Sequence, residues 1–204
     1  MTKLYDQMLN LPNILTSVRI LLIPLLVVFF YLPVTWSHTA AAIIFAVASF
    51  TDWLDGYLAR YLEQSTALGA FLDPVADKLI VSIALVLIVA EPTSRVMDVF
   101  GVEDTMPAAI MTIPAAIIVA REIIVSALRE WMAEVGKRAH VAVSSIGKIK
   151  TGVQMSALII LLYCSQSTSV YFVVVGYVLL YLAAVLTIWS MCIYLKAAWV
   201  QLNT

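Results

Sequence analysis

Polar residues are scarce in this chain and fall in short intervals between long apolar runs. Runs of roughly 20 apolar residues are what a helix needs to cross the hydrocarbon core of a bilayer. The pattern predicts six such spans, at Ile14–Leu32, His38–Arg60, Gly69–Ala90, Met106–Trp131, Lys150–Cys164 and Val170–Ala198, the fifth short and the sixth long. Pro12, Pro33 and Pro92 mark span boundaries, and Pro24, Pro107 and Pro114 fall in or near apolar runs as candidate kinks. An amphipathic stretch, Lys3–Asn10, precedes the first run and reads as a short surface helix. The expected fold is an all-α integral membrane protein of six transmembrane helices, a single domain over residues 1–204.

Composition agrees. Of 204 residues 63% are hydrophobic and 12% charged, about half the charged share of a soluble domain. Cys164 and Cys192 have no CxxC spacing and read as small packing residues. Lys3, Arg19, Arg60, Arg129, Lys137, Arg138, Lys148, Lys150 and Lys196 gather at one set of span ends, opposite Arg95, Glu91, Asp98, Glu103 and Asp104. By the positive-inside rule both termini and the link from Arg60 to Gly69 face the cytoplasm. Trp36, Trp131 and Trp199 sit where interfacial anchors belong.

One stretch breaks the apolar rule: "TDWLDGYLARYLEQSTALGAFLDPVADK", Thr51 to Lys78, with four aspartates. Asp52, Asp55, Gly56 and Ala59 share one face of a helix, and Gly69, Asp73 and Asp77 repeat every fourth residue along the next. A short link makes these helices antiparallel neighbours, so both acidic faces end on the cytoplasmic side. Pro74 is accommodated in the opening turns of the third span. An aspartate inside a membrane helix costs roughly 2.5–3.5 kcal/mol at the centre and less near the interface. Arg60 and Lys78 are too few to pair with all four, so the cluster calls for cations. Oxygen donors without histidine or cysteine point to Mg²⁺ or Mn²⁺, and magnesium in turn to phosphates. Gly56, Ala59 and Gly69 leave room beside those acids for a flat ligand, and Arg60 can hold a phosphate in bidentate fashion.

The spacing Asp52-x-x-Asp55-Gly56-x-x-Ala59-Arg60, eight residues, then Gly69-x-x-x-Asp73-x-x-x-Asp77 resembles the motif of the class-I CDP-alcohol phosphatidyltransferase family, with every fixed position present. The resemblance implies that Asp52, Asp55, Asp73 and Asp77 hold the metal. It also implies that Asp77 takes the proton of the acceptor alcohol, that Gly56, Ala59 and Gly69 line the cytidine pocket, and that Arg60 touches the diphosphate.

The acceptor is sought elsewhere. Arg121 lies within an apolar run and needs a partner, while its neighbour Glu122 is on a different helix face, so no ion pair between them is expected. Lys148, Lys150, Thr151 and Gln154 open the fifth span and, with Arg121, make a basic pocket suited to a phosphate-bearing alcohol. Lys137 and Arg138 are read as topology determinants, Glu63, Glu130 and Glu134 as solvated charges, and His38 and His140 as interfacial polar residues.

"LPNILTSVRILLIP", "FLDPVADK", "REIIVSALREWMAEVGKRAHVAVSSIGKIKT" and "VLTIWSMCIYL" are similar to the bacterial phosphatidylglycerophosphate synthase branch of that family. That likeness implies transfer of the phosphatidyl group of CDP-diacylglycerol to glycerol 3-phosphate in phospholipid biosynthesis, in the bacterial inner membrane, with the active site on the cytoplasmic side; separately, so much apolar surface is compatible with self-association, for which a homodimer is the simplest form. Arg121, Lys148 and Lys150 would then hold the acceptor phosphate, and Asn13, Thr16 and Arg19 would help at the same polar pocket. Rivals are a sister transferase for serine, inositol phosphate or phosphatidylglycerol, a prenyltransferase, and a divalent-cation transporter. A transporter would spread its acids through the membrane depth, whereas these gather at one end.

Overall fold

The computed structural model describes residues 11–62, 67–90, 107–134, 145–165 and 167–202, which form six α-helices and no strand. They are α1 (Leu11–Phe30), α2 (Ser37–Leu62), α3 (Ala67–Ala90), α4 (Pro107–Glu134), α5 (Ser145–Tyr163) and α6 (Val170–Leu202). Each matches one apolar run. The Lys3–Asn10 stretch, Glu63, the acidic loop from Glu91 to Asp104, and Lys137, Arg138 and His140 lie outside the described residues.

α1, α2 and α3 belong to one compact unit; α4, α5 up to Leu161, and α6 belong to a second. In the first, α1 lies against both α2 and α3. Its buried stripe runs Thr16, Arg19, Ile23, Leu26, Phe30, the spacing of one helix face. The far side of α1 is also apolar, with Leu21, Leu25 and Val28 exposed. A helix apolar outside and polar at one end of its buried face fits hydrocarbon better than water. Small residues at the contacts, Ala41 and Ala48 on α2 and Ala76 and Ala84 on α3, are fully buried and let the helices approach closely.

The second unit packs α4 along α6. Met111, Ala115, Ile118 and Val125 are buried on α4, and Val173, Tyr177, Leu180 and Ala183 on α6. Tyr181 Oη donates to the carbonyl of Ile110 at 2.9 Å, and Arg129 lies 5.2 Å from the centre of the Tyr194 ring. A Cβ on Gly176 would come within 2.7 Å of Leu161 Cδ2, so α5 and α6 approach closely there.

Among the described residues two helical stretches, Ala109–Met132 and Val170–Lys196, are long and apolar enough to cross a membrane, and Ile14–Phe30 and Ile149–Tyr163 are shorter apolar helices. Trp36, Trp131 and Trp199 are all exposed. Cys164 and Cys192 are both free thiols, the first of them buried.

The helices continue through Pro24, Pro74 and Pro114. Because α3 begins at Ala67, Pro74 falls beyond its first turn, deeper in the helix than the sequence suggests. Proline has no amide hydrogen, so the carbonyl of Ala70 loses its usual intrahelical donor beside Gly69 and Asp73.

Candidate active site

α2 and α3 carry the aspartate motif. Asp52 and Asp55 are near the end of α2, followed by Gly56, Ala59 and Arg60 in the same helix; the side chains from Asp55 to Arg60 lie outside the described residues. Gly69, Asp73 and Asp77 follow one another turn by turn on α3, and Gly69 is buried.

What holds these acids comes from α1. Arg19, with no exposed side-chain surface, directs Nη1 to Asp77 Oδ1 and to Asp52 Oδ1, the latter at 3.1 Å. One turn before it, Thr16 Oγ1 donates to Asp73 Oδ1 at 2.5 Å. A buried guanidinium needs carboxylate partners to offset its lost hydration, and the two helices of the motif each supply one. Asp52 and Asp77 keep 41% and 40% of their side-chain surface exposed, so both remain within reach of a ligand. From the sequence, Arg60 and Lys78 are the cations expected near the acids, and Arg19 joins them. Thr16 and Arg19 are both set on the acids themselves. An arginine within an apolar run was the available signal, since such a charge requires an acidic partner.

One guanidinium cannot neutralise three carboxylates, and an all-oxygen donor set suits a hard divalent cation. The donor chemistry therefore fits Mg²⁺ or Mn²⁺. Among the described residues no three acids already converge as ligands of one ion; Asp52 and Asp77 each turn an oxygen to Arg19, and Asp73 turns one to Thr16.

The second unit carries a separate polar cluster. Glu122 Oε1 accepts from Arg121 Nη1 at 2.7 Å and from Lys150 Nζ at 3.0 Å. Arg121 Nη2 also donates to Ser190 Oγ at 3.2 Å, so α4, α5 and α6 are joined by one network. This corrects the expectation that Arg121 and Glu122 do not pair. Consecutive residues leave the helix on different faces, but the arginine side chain is long enough to bend round to its neighbour's carboxylate, which Lys150 also reaches. Lys150 is 3% exposed and Gln154, one turn along the same face, 4%. Thr151 is on an exposed face, and the side chains of Asn13 and Lys148 lie outside the described residues.

Two cations share one carboxylate here, which leaves a net positive charge in a largely desolvated cluster. Such a site favours an anion. Glu122 and Ser190 complete this network without having been singled out in the sequence. Small hydroxyl residues in an apolar run give little signal, because they are tolerated in any membrane helix.

Residues 9–189 match the family model for CDP-alcohol phosphatidyltransferase. A relative from Shigella flexneri named CDP-diacylglycerol–glycerol-3-phosphate 3-phosphatidyltransferase is 54% identical over 189 residues, 93% of this chain and 94% of its own. Proteins of the same name are 53% identical in Escherichia coli over 93% of this chain and 94% of theirs, and 50% identical in Pseudomonas fluorescens over 96% and 93%. With the aspartate motif on α2 and α3 and a family match that runs almost from end to end, the chain belongs to the CDP-alcohol phosphatidyltransferase family.

Proposed function

We propose that the protein transfers the phosphatidyl group of CDP-diacylglycerol to glycerol 3-phosphate, giving phosphatidylglycerophosphate and CMP, in phosphatidylglycerol biosynthesis. The observation that carries the reading is the shared name of relatives 50–54% identical over more than nine-tenths of the chain. The division of charge supports it: acids with a hard-metal donor set on α2 and α3, and excess positive charge at Arg121 and Lys150.

In this reading Gly56, Ala59 and Gly69 make room for the cytidine and Arg60 binds the diphosphate. Asp52, Asp55, Asp73 and Asp77 hold Mg²⁺ or Mn²⁺, which when bound neutralises the diphosphate and the charge that develops on CMP. Arg121, Lys148 and Lys150 hold the acceptor phosphate. Asp77 accepts the proton of the acceptor's primary hydroxyl as its oxygen bonds to the β-phosphorus. The bond from that phosphorus to the bridging oxygen breaks, and its electron pair leaves with CMP. Arg19 holds Asp77 oriented for that role.

The whole chain acts as one domain with six transmembrane spans in the bacterial inner membrane, termini and reactive end on the cytoplasmic side, where CDP and glycerol 3-phosphate are in water and the acyl chains stay in lipid. The homodimer is the assembly we assign to it. The test is CMP release from CDP-diacylglycerol in detergent micelles with Mg²⁺, offering glycerol 3-phosphate, serine, inositol phosphate or phosphatidylglycerol. Turnover with glycerol 3-phosphate alone is expected. Turnover with another acceptor instead would overturn the acceptor assignment and leave the donor chemistry standing.

A further inference from the structure

Three buried polar atoms around the basic cluster have no hydrogen-bond partner: Arg121 Nε, Gln154 Oε1 and Thr187 Oγ1. Thr187 has no exposed surface and Gln154 only 4%. A buried polar atom left unmatched costs stability, and native chains leave few of them without a reason. Three in one region of one unit call for a ligand that brings both donors and acceptors.

Their placement is specific. Thr187 lies one turn before Ser190 on the same face of α6, and Ser190 accepts from Arg121. Gln154 lies one turn after Lys150 on the same face of α5. Gly176 of α6 sits against Leu161 of α5. Arg121 and Lys150 meet at Glu122 and Arg121 reaches Ser190, so Thr187 and Gln154 each lie one helical turn from a residue of that network. The charged groups that suit a phosphate, Arg121 and Lys150, thus adjoin two neutral groups that suit a hydroxyl. The threonine hydroxyl both donates and accepts, and the glutamine carbonyl accepts only.

We propose that Thr187 and Gln154 form the hydroxyl-reading part of the acceptor pocket, binding the middle hydroxyl of glycerol 3-phosphate, which does not react, while Arg121 and Lys150 take its phosphate. The proposal rests on the acceptor assignment above and extends it to specificity. A site built around a hydroxyl discriminates strongly against analogues that lack it, because its own polar groups then stay unmatched.

The probe is 3-hydroxypropyl phosphate, which keeps the attacking primary hydroxyl and the phosphate and lacks the middle hydroxyl. Inorganic phosphate as a competitor reads the charged part alone. The wild-type protein should prefer glycerol 3-phosphate by about tenfold or more in kcat/KM, the scale of one or two well-made hydrogen bonds. Thr187→Val and Gln154→Met should each erase most of that preference by weakening glycerol 3-phosphate. Turnover of 3-hydroxypropyl phosphate and inhibition by phosphate should stay as they were, and Thr187→Ser should restore the preference. Removing an unmatched hydroxyl should leave Tm unchanged or raised in Thr187→Val, which separates this role from a structural one. An unchanged preference in both variants would overturn the proposal, as would a parallel weakening of both acceptors and phosphate. A wild-type protein that releases CMP with a different acceptor would remove the reading beneath it as well.

Discussion

Arg19 reaches Asp77 from a helix that contributes nothing to the aspartate motif, and it does so with its guanidinium wholly buried. The same group holds Asp52, so one side chain of α1 fixes an acid on α2 and another on α3. The geometry of the acidic site therefore depends on a residue over thirty positions upstream of the motif.

Replacing Arg19 tests that dependence. Arg19→Met removes the shared partner of two half-exposed carboxylates and should lower stability by about 1–3 kcal/mol, the cost of a broken buried pair reduced by the solvent that still reaches both acids. CMP release should fall by at least tenfold. Arg19→Lys keeps the charge but offers a single point in place of the planar fork, so it should recover stability more fully than activity. Equal recovery of both would show that Arg19 only holds the fold together.

Asp77→Asn tests the acid as a base. An amide cannot take the acceptor's proton, and loss of a general base lowers turnover by roughly 10²–10⁴-fold. Arg19 retains Asp52 in this variant, so unfolding should remain cooperative with a modest fall in Tm. EDTA should silence the wild-type protein and added Mg²⁺ or Mn²⁺ should restore it, while neither rescues Asp77→Asn. Activity that survives thorough chelation would remove the metal from the mechanism.

Glu122 holds Arg121 and Lys150 through one oxygen. Glu122→Gln leaves two cations facing each other with Lys150 almost fully buried, and breaking such a pair costs about 3–5 kcal/mol. Lys150→Met in the same chain should recover most of that loss, since it removes the unmatched charge, yet it should raise KM for glycerol 3-phosphate. The double-mutant cycle, read by thermal unfolding in detergent, measures the coupling directly. Additive losses would show that the two residues do not act as a pair.

Much of this was legible in the sequence because apolar runs of membrane length announce their helices. α2, α3 and α6 begin within two residues of the expected spans, and α5 begins earlier, at Ser145 instead of Lys150. Its first turns hold Ser, Gly and Lys, which lower the hydropathy without breaking the helix. The aspartates and Arg121 were legible for a different reason: charge within hydrocarbon is costly, so its presence marks chemistry. Partners were not legible. That Arg19 belongs to Asp52 and Asp77 is set by how α1 packs on α2 and α3. That Arg121 bends to Glu122 depends on side-chain length, which a helical-face argument ignores. Thr187 and Ser190 carried no charge to betray them.

The contact between Gly176 and Leu161 gives the last test, because it is where α5 and α6 meet and each of them carries residues of the proposed acceptor pocket. A Cβ at position 176 would meet Leu161 Cδ2 at 2.7 Å and Cγ at 2.8 Å. Cδ2 can rotate aside, but Cγ moves only if the side chain or the helix shifts. Gly176→Ala should therefore cost a little stability, and Gly176→Leu about 1–3 kcal/mol, as overpacking of a close helix contact does. Leu161→Ala opens the space that the larger residue needs, so the pair Gly176→Leu with Leu161→Ala should be more stable than Gly176→Leu alone. If the contact matters to the acceptor pocket, Gly176→Leu will also raise KM for glycerol 3-phosphate, and the second substitution will bring it back down. A large loss of stability with KM unmoved would mean that the contact supports the helices without setting the pocket.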